Sequence, residues 1–341
     1  MAYSINAKDY FNTTLYVGNG SSKTITGIPF APSFVWIKNR SEAENHVIVD
    51  TVRGANNYLM PNTTATNDTN SEFLKSFTSD GYTLGLGDRV NKSSNNLVSW
   101  NWKANGQGSS NTDGSINTTY TSANTTSGCS IITYTGTGAN ATVGHGLGVV
   151  PKMIIVKRLD VTSSWRIYHA SLGNTKNIVL NTTAAEATSS TMWNNTSPTS
   201  TTFSLGSYDE VNGSSAPHVA YCFANVKGFS KVSSYIGNGS GDGTFNYTGF
   251  KPAFVLGKQL AGGSDWWLFD SARSPSNIAN KLVYPNANAG DATNPVLDLL
   301  SNGFKIRTSA AQFNGNGTTY LYMAFAEEPL VSTNGVPATA R

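Results

Sequence analysis

Charged side chains are scarce in this sequence, at 13% of 341 residues. The formal net charge is only +3, and neither sign forms a long run. Nucleic-acid-binding surfaces need clustered Lys and Arg, so we expect no nucleic acid partner. No stretch approaches the ~20 apolar residues of a membrane-spanning helix, and the first ten residues lack the basic and apolar regions of a secretory signal. We therefore expect no membrane insertion and a product made in the cytoplasm.

Cysteine and histidine are sparse as well, with two and four residues. Cys129 and Cys222 form no Cys-x-x-Cys motif, so we predict two buried thiols. The histidines share no metal-ligand spacing. A stretch at 239–243 has one acid, Asp242, and whether it binds Ca²⁺ is left open. We predict no metal site and no cofactor.

What the chain does contain is glycine, hydroxyl and amide residues, with 15 Phe, 15 Tyr and 7 Trp. The many aromatic residues argue against disorder, and the turn-forming residues favour an all-β protein. One motif, a proline, an apolar run and a lysine six positions later, occurs three times. The copies are Pro32-Ser33-Phe34-Val35-Trp36-Ile37-Lys38, Pro151-Lys152-Met153-Ile154-Ile155-Val156-Lys157 and Pro252-Ala253-Phe254-Val255-Leu256-Gly257-Lys258. Both faces are apolar, which predicts a strand that is covered on two sides.

The repeat extends well beyond this strand. A Tyr-x-Gly-x-Gly turn precedes each copy, an aromatic ring lies eight residues after each lysine, an asparagine follows, and an alternating aromatic strand closes each copy. The turns begin at Tyr16, Tyr134 and Tyr235, the rings are His46, Trp165 and Trp266, the asparagines are Asn62, Asn181 and Asn286, and the closing strands include 98–102, 219–223 and 320–325.

Gly-rich turns and no helical periodicity predict three tandem β-sandwich domains of jelly-roll or concanavalin-like type. We place an N-terminal arm at 1–14, repeat 1 at 15–104, a polar linker at 105–127, repeat 2 at 128–228, repeat 3 at 229–328 and a C-terminal tail at 329–341. The composition of 105–127 is typical of a flexible linker or an extended arm, and the linker interpretation predicts a hinged first domain.

Candidate catalytic groups are few. Asp50 and Asp270 occupy equivalent positions, each three residues before an arginine, but the middle copy has His169 there. A charge pair that braces a turn explains why Asp and Arg occur and disappear together. We predict no catalytic residue and no enzyme. Loop tryptophans are the candidate ligand-binding residues, for a glycan or a subunit contact, although they could equally cover their own sandwich. They are Trp193, Trp266 and Trp267.

Several motifs together resemble a repeat in virion structural proteins of marine tailed phages, including phages of cyanobacteria. They lie at 32–40, 50–54, 143–148, 151–157, 247–254, 320–327 and 335–338. The resemblance covers nearly the whole chain. It implies a concanavalin-like or jelly-roll fold, a virion location, tail or capsid subunits as partners and no transferable catalytic motif.

Two functions compete. The first is a tail fibre or spike adhesin that contacts host surface glycan, expected to be a homo-oligomer and specifically a homotrimer. The second is a capsid decoration protein that binds the head shell. A glycan-degrading tailspike ranks last, because acids are few and no pair recurs across the copies.

Overall fold

A computed structural model describes residues 5–329 of the chain. Strands account for 44% of the residues and helices for 5%, and the sheets are antiparallel. The all-β prediction is therefore confirmed. No helix among the described residues has the length and hydropathy needed to cross a bilayer.

The strands fall into three successive units, which we define as unit 1 (11–102), unit 2 (120–224) and unit 3 (230–329). A 3-10 helix, Ala7–Asp9, precedes them. Unit 1 contains β1 (Phe11–Val17), β2 (Lys23–Ile25), β3 (Phe34–Asn39), β4 (Val47–Asp50), β5 (Asn57–Tyr58), β6 (Asp68–Thr69), β7 (Leu74–Thr78), β8 (Gly81–Leu84), the one-turn helix α1 (Asp88–Asn91) and β9 (Asn96–Trp102).

Units 2 and 3 follow the same order. Unit 2 contains β10 (Tyr120–Asn124), β11 (Cys129–Thr135), β12 (Ala141–Gly144), β13 (Pro151–Arg158), β14 (Arg166–His169), β15 (Lys176–Val179), β16 (Ala187–Thr188), β17 (Thr202–Leu205), α2 (Asp209–Asn212) and β18 (Pro217–Ala224). Unit 3 contains β19 (Ser230–Ile236), β20 (Phe245–Tyr247), β21 (Phe250–Gln259), β22 (Trp267–Asp270), β23 (Ala279–Val283), β24 (Ala292–Leu300), β25 (Gly303–Ile306), α3 (Ala311–Asn314) and β26 (Thr319–Pro329).

Each unit is built on the same four strands. Their orders are β1-β9-β3-β4, β11-β18-β13-β14 and β19-β26-β21-β22. The central strands β3, β13 and β21 are the Pro-to-Lys segments, and their apolar residues are buried on both faces. Each lies between the closing strand and the strand that follows, so neither edge nor face reaches water. The predicted doubly covered strand is confirmed.

A shorter strand pair also recurs in each unit, as β2 with β8, β12 with β17, and β20 with β25. In each unit the first partner follows the glycine turn and the second precedes the one-turn helix. The helices end in equivalent buried asparagines, Asn91, Asn212 and Asn314.

One aromatic core is shared by all three units. Phe34 of unit 1 lies 4.7 Å from Tyr221 of unit 2, and Trp102 lies 5.6 Å from Phe254 of unit 3, as ring centroids. The third pair of units, 2 and 3, is joined by Phe223 and Phe325, whose ring centroids are 5.8 Å apart. These residues belong to a single buried cluster, and two smaller clusters lie within units 2 and 1. The alternation predicted for the closing strands therefore faces a common core.

The stretch 105–127 does not form the predicted linker. Residues 120–124 form β10, which pairs with β11, and Ser109 and Ile116 make bridges to Thr121 and Val143. Backbone hydrogen bonds do not depend on apolar side chains, so a polar segment can still complete a sheet. The expected hinge before the second repeat is therefore wrong, since unit 1 also shares the common core.

The predicted terminal arms need correction too. Residues 11–14 were expected in the N-terminal arm, but they belong to β1 and pair with β9 from Phe11↔Trp102 onward. Apart from Pro329, which ends β26, the predicted C-terminal tail lies outside the described residues.

Candidate functional site

The three candidate tryptophans are buried, each with no more than 1% of its surface exposed. Trp193 donates from Nε1 to Lys176 O at 3.0 Å and packs edge-on against Tyr168. Trp267 packs over Gly257, where any side chain would collide with its ring. A sugar stacks on an exposed ring face, so the glycan-binding interpretation of Trp193, Trp266 and Trp267 is wrong.

Trp266 instead joins two units, as one of three equivalent ring contacts. In each contact, the ring belongs to the residue eight positions after the buried lysine of one unit. Its nitrogen contacts a backbone carbonyl of the preceding unit, two positions before the repeated asparagine, and unit 3 counts as the unit that precedes unit 1. The contacts are Trp165 Nε1 to Met60 O (3.2 Å), Trp266 Nε1 to Val179 O (2.9 Å) and His46 Nε2 to Tyr284 O (3.2 Å). Units 2, 3 and 1 thus contact units 1, 2 and 3, respectively.

The repeated asparagines hold these rings in place. The side-chain carbonyl of each accepts a hydrogen bond from the backbone N–H of the ring residue in its own unit. The distances are 3.1 Å for His46 to Asn62, 2.9 Å for Trp165 to Asn181 and 2.8 Å for Trp266 to Asn286. Burial lowers the pKa of His46 well below its ordinary value, so the ring is neutral at physiological pH.

The lysines that end the central strands form a second cyclic set. Each ammonium is buried and donates to a carbonyl two residues past the repeated asparagine of the preceding unit. The contacts are Lys38 Nζ to Asn288 O (3.1 Å), Lys157 Nζ to Thr64 O (3.4 Å) and Lys258 Nζ to Thr183 O (3.4 Å). Burial lowers the pKa of each lysine to about 8. The lysine of the motif thus forms a hydrogen bond that joins two units.

A backbone hydrogen bond repeats in the same three places. The donor is the backbone N–H of the residue five positions after the repeated asparagine. The acceptor is the backbone carbonyl of the residue two positions after the lysine in the following unit. The bonds are Asn67 N to Leu159 O (2.9 Å), Glu186 N to Leu260 O (3.3 Å) and Asp291 N to Arg40 O (2.8 Å). The units therefore relate to each other as members of a closed ring with one kind of interface.

The acids Asp50 and Asp270 also lie in these interfaces. Arg53 Nε donates to Asp50 Oδ2 at 2.7 Å, and the backbone N–H groups of Val52 and Arg53 bond to Asp50 Oδ1. The predicted turn brace is confirmed. The same carboxylate also accepts the hydroxyl of Tyr221, from unit 2, at 2.8 Å. Burial raises the pKa of Tyr221 well above its ordinary value, so the hydroxyl keeps its proton.

Asp270 repeats this arrangement between units 3 and 1. It pairs with Arg273 and accepts Trp100 Nε1 at 3.1 Å, while Arg273 also lies over the Trp100 ring at 5.4 Å. Both acids are fully buried and surrounded by donors. Neither is open to a substrate.

The missing Asp–Arg pair of the middle copy has a physical explanation. Register against the central strands makes Trp100, Tyr221 and Met323 equivalent. The side chain of Met323 has no N–H or O–H group, so an aspartate of unit 2 facing unit 3 would lack this side-chain donor. The middle copy carries His169 instead, whose Nε2 lies 3.5 Å from Tyr322 O. Burial lowers its pKa to about 4.

The role of the buried asparagines that end the short helices was not predicted from the sequence. Each carbonyl accepts the N–H between the two glycines of the Tyr-x-Gly-x-Gly turn, as in Thr137 N to Asn212 Oδ1 at 2.8 Å. The turn tyrosine donates to the helix as well, as in Tyr134 OH to Val211 O at 2.6 Å. The available signal was an asparagine after Val90, Val211 and Phe313 in all three copies.

Within residues 5–329, the cysteines and the remaining acids form no further site. Cys129 and Cys222 are free and buried, as predicted, and burial raises the pKa of Cys129 to about 12. Asp242 pairs with Lys305 at 2.6 Å. Across residues 5–329, His, Cys, Asp and Glu do not gather in groups of three that could hold a metal ion.

Comparison with known proteins identifies the family of the chain. No curated protein matches the sequence. Residues 6–329 match the family described as "Domain of unknown function (DUF7483)". Because this match spans nearly the whole chain, the protein belongs to the DUF7483 family.

Proposed function

We propose that the protein is a non-enzymatic structural component of a phage virion, of the tail fibre or spike type. The resemblance of its repeated motifs to virion proteins supports this assignment. The observation that carries it is the closed ring of equivalent contacts, in which each unit clamps its neighbour through a ring nitrogen, a lysine and a backbone hydrogen bond. In such an arrangement the side chains that recur in all three units hold the units together.

Within this proposal, the three units are tandem β-sandwiches of one design. The recurring four-stranded order and the recurring short strand pair support this interpretation. Phage fibres are usually built from three copies, and this chain already carries three units around one core. The predicted homotrimer stays a prediction, and the native mass tests it: three chains would have about three times 36.2 kDa.

Contact with host glycan needs exposed rings, and unit 3 offers a pair. Phe245 is 43% and Tyr247 59% exposed, and both point outward from β20 with Asn246 buried between them. Rings two residues apart on one strand lie on the same face, at a spacing that suits stacking on successive sugars. We place the glycan contact here instead of at the buried tryptophans.

Glycan binding can be measured on an array or on host cells. Tyr247→Ala should reduce binding at least about fivefold, because stacking on one ring contributes on the order of 1 kcal/mol. Ile236→Ala, at a residue 62% exposed in the same unit, is the matched control. Equal binding by wild type and Tyr247→Ala would refute the placement of the contact.

The virion assignment has its own test. Antibodies raised against the purified protein, applied to particles of the encoding phage, should label the tail when viewed by electron microscopy. Labelling over the head would favour the capsid decoration alternative and overturn the fibre assignment. Unlabelled particles would overturn both. Release of reducing sugar from host polysaccharide by the pure protein would contradict the non-enzymatic claim.

A further inference from the structure

The first strands of the three units differ in what covers their outer edge. β1, β11 and β19 are equivalent, since each leads into a Tyr-x-Gly-x-Gly turn and pairs with the closing strand of its unit. In unit 2, β10 pairs with the outer edge of β11. In unit 3, the Asn225 side chain bonds to both the N–H and the carbonyl of Val232. Among residues 5–329, no strand pairs with the outer edge of β1.

The backbone of β1 presents unused hydrogen-bonding groups at this edge. Gly18 N–H donates to Asn95 O, which places the even-numbered residues of β1 toward β9. Successive residues in a strand alternate in direction, so the odd-numbered ones direct their N–H and carbonyl groups outward. These include Thr13, Leu15 and Val17.

The side chains of β1 do nothing to protect this edge. Exposed edge strands are usually shielded by charges, prolines or bulges. The sequence of β1, Phe11 to Val17, contains no charge and no proline, and Leu15 and Val17 are 42% and 53% exposed. Thr13 Oγ1 is buried without a hydrogen-bond partner in the described part of the chain. The equivalent β19 carries Lys231.

A cleft of about 320 Å³ lies beside this edge, between units 1 and 3. Its lining includes Thr13 from β1, Gly27 from the turn after β2 and Ser271 from unit 3. A methyl group added at Gly27 would meet nothing within 4 Å. The cleft therefore has room at the place where a strand beside β1 would lie.

Unit 2 shows what occupies the equivalent space. Gly146 stands where unit 1 has Gly27, and a methyl group there would lie 3.0 Å from Ala123 and 3.1 Å from Thr121, both on β10. The position of Ser271 corresponds to Thr51 of unit 1, whose hydroxyl donates to Gly106 O of the segment that leads to β10. The slot in unit 2 is thus filled by a strand with small and hydroxyl side chains.

We propose that the cleft beside β1 accepts an extended strand from another protein, which pairs with β1 as β10 pairs with β11. The donor would carry small or hydroxyl side chains, with a residue no larger than alanine beside Gly27. Its backbone would bond to Thr13, Leu15 and Val17, and Ser271 would take the role of Thr51. Strand addition of this kind joins separate proteins through main-chain hydrogen bonds. The inference uses the geometry of the units and does not depend on the function proposed above.

A synthetic peptide with the sequence of residues 117–126, which contains β10, is the probe. Added in excess to the full chain, it should slow hydrogen exchange at Thr13, Leu15 and Val17 by about tenfold or more, with no change at Val232 or Ser234, the equivalent outward positions of β19. Leu15→Lys, which places a charge on the edge, should weaken binding of the labelled peptide at least about tenfold. Leu86→Lys, at a residue 51% exposed outside the strands, should bind like wild type.

Thr13→Pro removes an outward N–H group and should also weaken binding, since an edge strand tolerates proline at such a position. Unchanged exchange at the three β1 amides with saturating peptide, or no binding at all, would overturn the inference. So would protection that depends on protein concentration without peptide, which would identify a second copy as the occupant. Protection that disappears when residues 330–341 are deleted would assign the cleft to the chain's own terminus and overturn it as well.

Discussion

Tyr221→Phe tests whether the contacts between units stabilise the whole protein. The hydroxyl of Tyr221 in unit 2 donates to Asp50 of unit 1 at 2.8 Å, and both side chains are buried. A hydrogen bond to a charged, buried group contributes about 1.5–3 kcal/mol. Because Asp50 keeps Arg53 and two backbone donors, the substitution should lower the free energy of unfolding by about 2 kcal/mol. For a chain of this length that lowers the melting temperature by about 3 °C.

The assay is urea unfolding followed by circular dichroism and tryptophan fluorescence, in a double-mutant cycle with Asp50→Asn. Contact between the two side chains predicts a coupling energy of about 1–2 kcal/mol. Asp270, which bonds to Trp100 in a different interface, supplies the control cycle with Tyr221→Phe, and its effects should add. A coupling energy below about 0.5 kcal/mol for Tyr221 with Asp50 would refute the reasoning.

Three further predictions concern the units themselves. Burial lowers the pKa values of His169 and His218 to about 4, so the unfolded chain binds more protons than the folded chain between pH 6.5 and 4. The free energy of unfolding should therefore fall as the pH falls through that window, by about 3 kcal/mol per histidine. An unchanged urea midpoint from pH 7 to 4.5 would contradict this. Gly136→Ala places a methyl group 2.3 Å from Gly213 O and should cost about 1–3 kcal/mol in urea unfolding, whereas Gly241→Ala meets nothing within 4 Å and should be neutral. Val255→Asp buries an unpaired charge in β21 and should lose several kcal/mol, enough to abolish the folded signal in circular dichroism, while Val161→Asp at an exposed site should melt like the parent.

The repeat and its central strand were predictable because apolar residues on both faces, a leading proline and a turn before it recur three times. The Asp50–Arg53 brace was predictable from spacing alone. The pairing of units was not, because its acceptors are backbone carbonyls such as those of Met60 and Thr64, which leave no mark on the side-chain sequence. The missing acid at His169 is explained only once Met323 is known to occupy the position that Trp100 and Tyr221 hold in the other units.

The two corrections have different physical origins. Trp193 lies in a polar sequence, yet its ring is buried beside Tyr168, since neighbours in space decided its environment. The polar stretch that contains Tyr120–Asn124 looked like a linker because composition says little about backbone pairing. The partner of Trp193 lies 25 positions away in the chain, whereas β10 pairs with the very next strand through backbone hydrogen bonds that polar residues make as readily as apolar ones.

Calorimetry of the intact chain tests most directly whether the three units form one body. A shared aromatic core and three equivalent interfaces predict a single unfolding transition, with a calorimetric enthalpy equal to the van't Hoff enthalpy. Two or three separate transitions, with unit 1 melting apart from units 2 and 3, would show that the units are independent domains and would contradict the closed ring.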